Sequence, residues 1–380
     1  MSSFSRHATV AILLLLLIGE SALAQPSFVY SVGTKSFAGF DSGYSALGIN
    51  DLGHTVGIFP IDGSLPIHGF IKRDNLVTPF DYPGAYDTTP HGINNAGQIV
   101  GSRCSWAAGF LPVCTGFLKA GDIYTSYEYP GARFTYANGI NNIGQLVGTY
   151  RIQVSVGPNA VQDFDHGLLI SAGHLTGFDY PGAYSTAAAG INDASQIVGS
   201  YVEIISTWPG FRYRGFIKDG EIFTSIDYPG ALFTFVTGIN NRGQIVGSYQ
   251  DRYGYLHGFL KNGDTFTAFD VPGADTFPSG INSLGQIVGD YSPRPVVPTI
   301  NTLIIGINGL GLPRGTATSL VTKLHDAIAA FNTGEVVTAC RDMEAFISHV
   351  QALSGKKLTL GLAVDILETA AQIEAMIGCH

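Results

Sequence analysis

An acidic residue followed by tyrosine recurs at one position of a repeated phrase in this chain. The copies that keep both residues are Asp81-Tyr82, Asp179-Tyr180 and Asp227-Tyr228, each followed by Pro-Gly-Ala. Carboxylates at equivalent positions of a repeat could bind a cation or the hydroxyl groups of a glycan, and the tyrosine rings could stack on sugar rings. In the alternative interpretation, each acid accepts hydrogen bonds from the backbone N–H groups of its own Pro-Gly turn.

A histidine begins a second repeated phrase, His-Gly-Phe or a close variant. It is present at His68, His166 and His257, whereas Thr115 and Arg214 take its place in the other two copies. Histidine can bind a metal or transfer a proton, and a histidine that only holds a strand in place is the alternative. No Cys-x-x-Cys pair occurs, and the Asn- and Gly-containing turns lack the alternating carboxylates of a calcium loop. We therefore predict no metal site and no cofactor.

Aromatic residues and arginines occupy equivalent loops of two neighbouring repeats. These residues are Trp208, Arg212 and Tyr213 in one loop, and Arg252, Tyr253 and Tyr255 in the next. Because neighbouring repeats place equivalent loops side by side, we predict that they form an exposed aromatic patch that binds a ligand. Ordinary variation of surface loops is the alternative.

Local motifs of common enzymes are absent from the chain. It contains no Gly-x-Ser-x-Gly, His-Glu-x-x-His or P-loop pattern. Gly309-Leu310-Gly311 matches only the start of a dinucleotide-binding fingerprint, since residue 314 is arginine rather than glycine. An active site could still be assembled from several repeats, so the sequence does not exclude an enzyme.

The candidate residues belong to a repeat that must position them. Its most regular phrase is Gly-Ile-Asn, a short turn and Gln-Ile-Val-Gly or a close variant, with triplets that begin at Gly48, Gly92, Gly139, Gly190, Gly238 and Gly280. The spacing of 42 to 51 residues is typical of stacked or radial repeats. Each repeat holds four short apolar runs separated by turn residues, which predicts antiparallel strands. Four strands in about 45 residues match one blade of a β-propeller.

The number of hairpins predicts six blades over residues 25–292. Six Gly-Ile-Asn hairpins alternate with five complete His-Gly-Phe hairpins, and the sixth of the second kind is predicted at Ser27 to Asp41. If each blade begins with the Gly-Ile-Asn hairpin, the two ends of the repeat region share a blade and close the ring, which removes exposed sheet edges. The other phase gives six self-contained blades, and both phases stay open.

Composition and the first residues indicate an exported protein. Arg6 and His7 precede the apolar run Val10 to Ile18, and Ala22-Leu23-Ala24 fits a signal-peptidase site. We therefore predict a signal peptide over 1–24, cleavage after Ala24, and a secreted or periplasmic chain with no later membrane span. The net charge of −9 argues against nucleic acid as a partner.

Four cysteines in an exported chain predict two disulfides. Cys104 and Cys114 should face each other across one hairpin, and Cys340 and Cys379 should meet if two C-terminal helices are antiparallel. Three pairings are conceivable for four cysteines, and this one is the most local.

The C-terminal region has a different period. Three prolines suggest a linker over 293–299, after which apolar residues follow helical spacing, for example Leu320, Leu324, Ala327 and Phe331. A first, weaker helix is predicted over Thr302 to Asn308. We predict a small helical bundle over residues 300–380.

Two resemblances cover most of the chain. The phrases Gly92 to Gly101 and His257-Gly258-Phe259-Leu260 make residues 27–291 similar to the HAF-type repeats of exported bacterial proteins, although the usual His-Ala-Phe here reads His-Gly-Phe. The phrases Gly311 to Gly315, Ala345 to Val350 and Gly355 to Leu358 make residues 300–379 resemble FIMAH-type helical domains. The first resemblance implies a propeller without a general activity, and the second implies an accessory domain rather than a catalytic one.

The function that these features favour is binding outside the cytoplasm. The ligand would be a glycan or a protein, recognised by the loops of adjacent blades. A hydrolase or lyase that acts on a polymer in the propeller channel is the second interpretation, and a structural component of the cell envelope is the third. An aromatic, arginine-bearing rim would favour binding, whereas buried unpaired carboxylates would favour an enzyme.

Overall fold

The structure is a computed structural model that describes residues 27–32, 36–39, 44–61, 64–74, 76–106, 112–157, 160–206, 210–271 and 273–379. The predicted signal peptide and Asp41 lie outside these residues. The chain divides into two compact units. The first comprises Met1–Arg252, Leu256–Phe269 and Thr276–Tyr291, and the second comprises Tyr253–Tyr255, Asp270–Asp275 and Ser292–His380.

The repeat region consists of short strands in antiparallel sheets. The first strands of the described residues are β1 (Ser27–Ser31) and β2 (Ser36–Gly39). The next two sets are β3 (Ser45–Ile49), β4 (Thr55–Ile61), β5 (Ser64–Arg73) and β6 (Leu76–Phe80), then β7 (Asp87–Ile93), β8 (Ile99–Trp106), β9 (Pro112–Ala120) and β10 (Ile123–Tyr127). The following two are β11 (Phe134–Ile140), β12 (Leu146–Gly157), β13 (Ala160–Ser171) and β14 (His174–Phe178), then β15 (Ser185–Ile191), β16 (Ile197–Ile204), β17 (Phe211–Asp219) and β18 (Ile222–Ile226). The last are β19 (Phe233–Ile239), β20 (Ile245–Gln250), β21 (Leu256–Asn262) and β22 (Thr265–Phe269), followed by β23 (Ala274–Ile281) and β24 (Gln286–Pro293).

Strand pairing distinguishes the two phases that the sequence left open. Each set of four pairs in chain order, so the Gly-Ile-Asn hairpin comes first in its sheet. The first and last strands of the region share one sheet in the order β2-β1-β24-β23, with Val29 opposite Val288. One parallel bridge, between Phe134 and Cys114, links two neighbouring sets of strands.

The repeated turns form for the local reasons that the sequence predicts. In Tyr129-Pro130-Gly131-Ala132, the Ala132 N–H donates to the Tyr129 carbonyl oxygen at 3.0 Å, and Gly131 has a φ of +80°. That positive φ is what a type II turn requires at its third residue, and glycine adopts it without a steric penalty. Thr135 completes the turn, because its hydroxyl accepts the Tyr129 N–H at 3.0 Å.

Glycine in the Gln-Ile-Val-Gly phrase is needed for packing within a sheet. A Cβ atom at Gly57, Gly148 or Gly247 would lie 1.8 to 1.9 Å from a backbone carbonyl oxygen of the neighbouring strand. The preceding valines, such as Val198 and Val246, are fully buried, and Val198 packs in one cluster with Val236. Apolar side chains therefore fill the space between sheets, while glycine keeps the first two strands of each sheet close.

The described residues of the second unit form four helices. They are α1 (Val296–Gly309), α2 (Arg314–Asn332), α3 (Val336–Leu353) and α4 (Leu360–Ile377). One apolar side of each helix faces a shared core that includes Leu303, Leu324, Phe346 and Ile373. Local signals bound α4, since Thr359 caps its start and Gly378 closes its end in the left-handed conformation.

The predicted linker over 293–299 is corrected by the structure. Strand β24 extends to Pro293, and α1 begins at Val296, so the first helix is longer than the predicted Thr302 to Asn308. Pro298 lies in the first turn of α1, where a missing N–H costs no helical hydrogen bond. The prolines therefore mark a helix start rather than an extended linker.

Both predicted disulfides are present. Cys104 and Cys114 are directly opposite in the β8–β9 pair, with their sulfur atoms 2.07 Å apart. Cys340 in α3 is bonded to Cys379, which follows α4. Among the described residues, none of the helices is both long and apolar enough to cross a membrane.

We expect the Cys340–Cys379 disulfide to matter most for the helical unit. The Cys340→Ser, Cys379→Ser variant should lose about 4 kcal/mol of unfolding free energy, because the bond closes a loop of 39 residues. The matched Cys104→Ser, Cys114→Ser variant, with a separation of only 10 residues, should lose about 3 kcal/mol. Urea unfolding followed by the helical circular dichroism signal measures the first effect. An unchanged helical transition in the Cys340→Ser, Cys379→Ser variant would contradict it.

Candidate functional site

The repeated acids and the repeated histidines form pairs with each other. Asp81 lies 2.8 Å from Nδ1 of His68, and Asp179 lies 2.9 Å from Nδ1 of His166. Each pair joins the third strand of a sheet to the end of its fourth. The acids are about half exposed, so these contacts lie at the surface.

The Asp227 copy uses arginine in place of histidine. Its carboxylate accepts from Arg212 at 2.9 Å and from Arg214 at 3.0 Å. Arg214 also lies 3.2 Å from Glu203, on the neighbouring strand. The carboxylates therefore bind side chains of the third strand of their own sheet. The structure brings together two residue series that the sequence treats separately.

The tyrosines that follow the acids stack within the protein. Tyr180 lies parallel to Tyr201 with ring centroids 3.8 Å apart, and Tyr228 stacks on Tyr249 at 3.6 Å. Tyr82 lies beneath the guanidinium of Arg103 at 4.5 Å. Each tyrosine therefore has one face covered by a residue of the next sheet in chain order.

Tyr213, one of the predicted patch residues, belongs to a group of four rings, which we call the aromatic cluster: Phe211, Tyr213, Phe233 and Phe235. Phe211 stacks on Phe233 with centroids 5.8 Å apart, and Tyr213 lies 5.0 Å from Phe235. The cluster joins the start of β17 to the start of β19, the first strand of the next sheet. Its three phenylalanines are half-buried, whereas Tyr213 is only 7% exposed.

The burial of Tyr213 corrects the prediction of an exposed ring at that position. Alternation along β17 places Tyr213 on the side that packs against β19, so it supports the cluster. Burial raises the pKa of Tyr213, and the negative charge of Asp165 adds to the effect. Trp208 lies outside the described residues. The three phenylalanines were not chosen from the sequence, although aromatic residues at the starts of β17 and β19 were a visible signal.

The other predicted patch residues lie in the turn before β21. Arg252 is exposed and belongs to the first unit, whereas Tyr253 and Tyr255 belong to the second. The guanidinium of Arg294 lies 4.4 Å from the ring centroid of Tyr255. A Cβ atom at Gly306 would come within 2.9 Å of the Tyr253 ring, so that ring packs on helix α1. Both tyrosines thus contact residues of their own unit.

The ion pair between Arg151 and Asp165 lies next to an aromatic residue of β11. Arg151 donates to both carboxylate oxygens of Asp165, at 2.6 and 3.0 Å, and its guanidinium lies 5.5 Å from the Phe134 ring. Burial raises the pKa of Tyr136, two residues along β11, to about 12. The acid here is paired with an arginine.

Six buried asparagines form a closed ring of hydrogen bonds, which we call the amide ring. Each Nδ2 donates to the backbone carbonyl oxygen of the equivalent asparagine in the next sheet. The ring runs from Asn50 to Asn94, Asn141, Asn192, Asn240, Asn282 and back to Asn50, with distances of 2.9 to 3.3 Å. The sequence predicts asparagine as a turn residue, but the contacts between repeats were not predicted.

The residues that follow the ring asparagines form a second, more exposed set of contacts. Asp51 accepts from the Ser283 N–H and from Nδ2 of Asn95. Although burial acts to raise it, these hydrogen bonds hold the pKa of Asp51 below its usual value. The cavity at this end has a volume of about 60 Å³, well below the roughly 300–1,000 Å³ of most small-molecule sites. We therefore do not place the ligand here.

Comparison with known proteins supports the fold and no particular activity. A TolB-like protein from Agrobacterium tumefaciens is 11% identical, and the match covers 71% of this chain and 99% of that one with a TM-score of 0.51. The β-propeller domain of the Trilobed protease from Pyrococcus furiosus is also 11% identical, with 67% and 78% coverage and a TM-score of 0.43. No family model and no curated protein sequence matches the chain. The repeat region is thus of the β-propeller type.

Proposed function

We propose that this protein is an exported, six-bladed β-propeller that binds an extracellular or periplasmic glycan or protein. Six blades are supported by six Gly-Ile-Asn hairpins and by the amide ring, which returns from Asn282 to Asn50. Closure is supported by the pairing of β1 with β24. A ring of this kind fixes the relative positions of equivalent loops, which suits recognition of an extended ligand.

The aromatic cluster is the main observation that supports this choice of binding surface. Its phenylalanines are half-buried and so keep part of their rings accessible. Arg212 stands between Phe211 and Tyr213 in the chain and is already oriented by Asp227 at 2.9 Å. Rigid rings beside an oriented guanidinium are a common arrangement at glycan and protein interfaces, because little side-chain entropy is lost on binding. Trp208, three residues before Phe211, is part of the proposed surface.

The acids argue for binding rather than catalysis. Asp81, Asp165, Asp179 and Asp227 each face a histidine or arginine within 3.0 Å. A general acid or nucleophile in a hydrolase needs a carboxyl group whose proton or lone pair is directed at the substrate. These carboxylates are instead engaged by side chains of the protein itself.

Export is supported by two independent features. The first residues have the order of a signal peptide, with the A-x-A site at Ala22 to Ala24. Both cysteine pairs are bonded, and disulfides persist mainly in oxidising compartments. The proposed mature chain begins at Gln25.

The binding surface can be tested with one variant and a control in the same sheet. We expect Phe211→Ala to weaken the binding of a ligand found on glycan and peptide arrays by about 2 kcal/mol, or roughly 30-fold, as for a hot-spot residue. Ile222→Ala removes a side chain that is 71% exposed near the opposite end of the sheet, and it should bind like the wild type. Isothermal titration measures both affinities.

Two outcomes would count against this proposal. In the first, the wild-type chain binds nothing saturably on either array. In the second, folded Phe211→Ala binds as tightly as Ile222→Ala. Thermal melting of each variant checks that the loss of affinity does not come from unfolding.

A further inference from the structure

A separate cleft lies in the helical unit, between the start of α2 and the end of α3. Its volume is about 420 Å³, within the usual range of small-molecule sites. Its lining consists of Pro313, Gly315, Thr316, Ser319, His349, Leu353 and Lys357. No acidic residue lines it.

Positive charge in this cleft is not balanced by a carboxylate. Lys357 Nζ donates to the hydroxyl of Thr316 at 3.1 Å, and Lys323 Nζ lies 3.5 Å from the Ser319 carbonyl oxygen. Within the part of the chain that the structure describes, neither lysine has a carboxylate within 4.0 Å. Lys357 lines the cleft beside a hydroxyl donor, and Lys323 adds positive charge near His349. This arrangement is suited to an anion.

The positive charge of the two lysines affects the protonation of His349. Its Nδ1 lies 3.5 Å from the hydroxyl of Ser319. Burial lowers the pKa of His349, and the charges of Lys323 and Lys357 lower it further. The ring is therefore neutral at pH 7 while the cleft is empty, and a bound anion would favour its protonated form.

Backbone N–H groups add to the donors in the cleft. The first bonded N–H groups of α2 belong to Thr316 and Ala317, which both donate to Pro313. Those of Arg314 and Gly315 precede them, and the first turn contains neither a capping side chain nor an acid. A Cβ atom at Gly315 would meet nothing within 4 Å, so access to this backbone is open. Such N–H groups favour negative charge.

We propose that this cleft binds a tetrahedral oxyanion, as free phosphate or as a phosphate or sulfate group on a larger molecule. Lys357 supplies the main charge. The hydroxyls of Thr316 and Ser319 donate hydrogen bonds to the oxyanion, and His349 donates once it is protonated. This site is independent of the propeller surface and its proposed function.

Titration of the full, isotopically labelled chain with sodium phosphate at constant ionic strength tests the proposal. The amide signals of Gly315, Thr316 and Ser319 should shift saturably. Lys357→Met should weaken binding about tenfold, since a charge-assisted hydrogen bond is lost. Lys356→Met is the matched control, because Lys356 Nζ donates to the Ala352 carbonyl oxygen and does not line the cleft.

The proposal is overturned if the shifts are not saturable, or if Lys356→Met weakens binding as much as Lys357→Met.

A pH series with sulfate, which does not titrate in this range, adds an independent readout. Sulfate affinity should rise as the pH falls through the pKa of His349, and folded His349→Gln should lose that dependence. An unchanged dependence in the variant would also refute the assigned role. A sulfated monosaccharide that binds more tightly than sulfate would indicate an ester ligand, and equal affinity would indicate the free ion.

Discussion

Replacing Gly148 with alanine is expected to disrupt the β11–β12 pair. A Cβ atom at this position would lie 1.8 Å from the Tyr136 carbonyl oxygen and 2.8 Å from its carbon. Both obstructing atoms belong to the backbone, so the clash cannot be relieved by rotating a side chain. We expect a loss of at least about 3 kcal/mol of unfolding free energy, at the upper end of overpacking effects. Chemical denaturation of the full chain measures the loss.

Gly361→Ala is the control for the loss of glycine itself. Gly361 lies in the first turn of α4, and an added Cβ would meet nothing within 4 Å. Alanine there should leave stability unchanged or raise it by up to about 1 kcal/mol. Wild-type stability in Gly148→Ala would contradict the close approach of β11 and β12 at this position.

Asn141→Asp should be strongly destabilising at neutral pH. Asn141 is 2% exposed, and its Nδ2 donates to Gln145 Oε1 at 2.8 Å and to the Asn192 carbonyl oxygen at 3.0 Å. A carboxylate would lose both donors and direct its negative charge at two oxygen atoms. We expect a cost of about 3–5 kcal/mol, as for other buried charges without a partner.

The pH dependence distinguishes charge from shape in this variant. Burial would raise the pKa of the new carboxyl group above the value of about 4 in the unfolded chain. Part of the destabilisation should therefore disappear as the pH falls towards that value, because the folded state then binds the proton more tightly. Asn262→Asp, at the exposed last residue of β21, should cost little at any pH. A destabilisation of Asn141→Asp that does not vary with pH would contradict the electrostatic explanation.

Local features of the fold could be predicted from the sequence because they depend on neighbours in the chain. The turn at Gly131 and the Gly-Ile-Asn hairpins need only a few consecutive residues to specify them. The pairing of His68 with Asp81 was within reach, since Gly69 faces Phe80 in the antiparallel register. His68 precedes Gly69 and Asp81 follows Phe80, so the same register brings His68 and Asp81 close together.

Contacts between repeats could not be predicted in the same way. The amide ring joins residues 42 to 51 positions apart, and Asn282 reaches Asn50 across 232 positions. Hydrogen bonds to the backbone of its own turn already account for asparagine at this position. Nothing within one repeat therefore indicates a hydrogen bond to the next repeat.

The linker was predicted wrongly for a related reason. Pro298 is compatible with both an extended segment and the first turn of a helix, and only the core beneath α1 distinguishes them.

The sites are predictable to a smaller extent than the fold. The sequence identified Arg212 and Tyr213, but alternation along β17 decides that Tyr213 is buried while the adjacent Arg212 is accessible to Asp227. The cleft of the helical unit depends on Ser319 and His349, which are 30 residues apart and lie on different helices. Neither residue belongs to a recognisable motif.

The sheet that β1 shares with β24 has a consequence for synthesis. Strand β1 leaves the ribosome before the other described strands, yet its partner β24 follows more than 250 residues later, as the pair Ser31 with Gln286 shows. Until then the edge of β1 offers unpaired N–H and C=O groups to any other strand, including one from another nascent chain. Completion of this sheet is therefore a late, slow event with a large loop-closure entropy. A chaperone that shields the first hairpin would act on the interval during which this protein is most prone to aggregate.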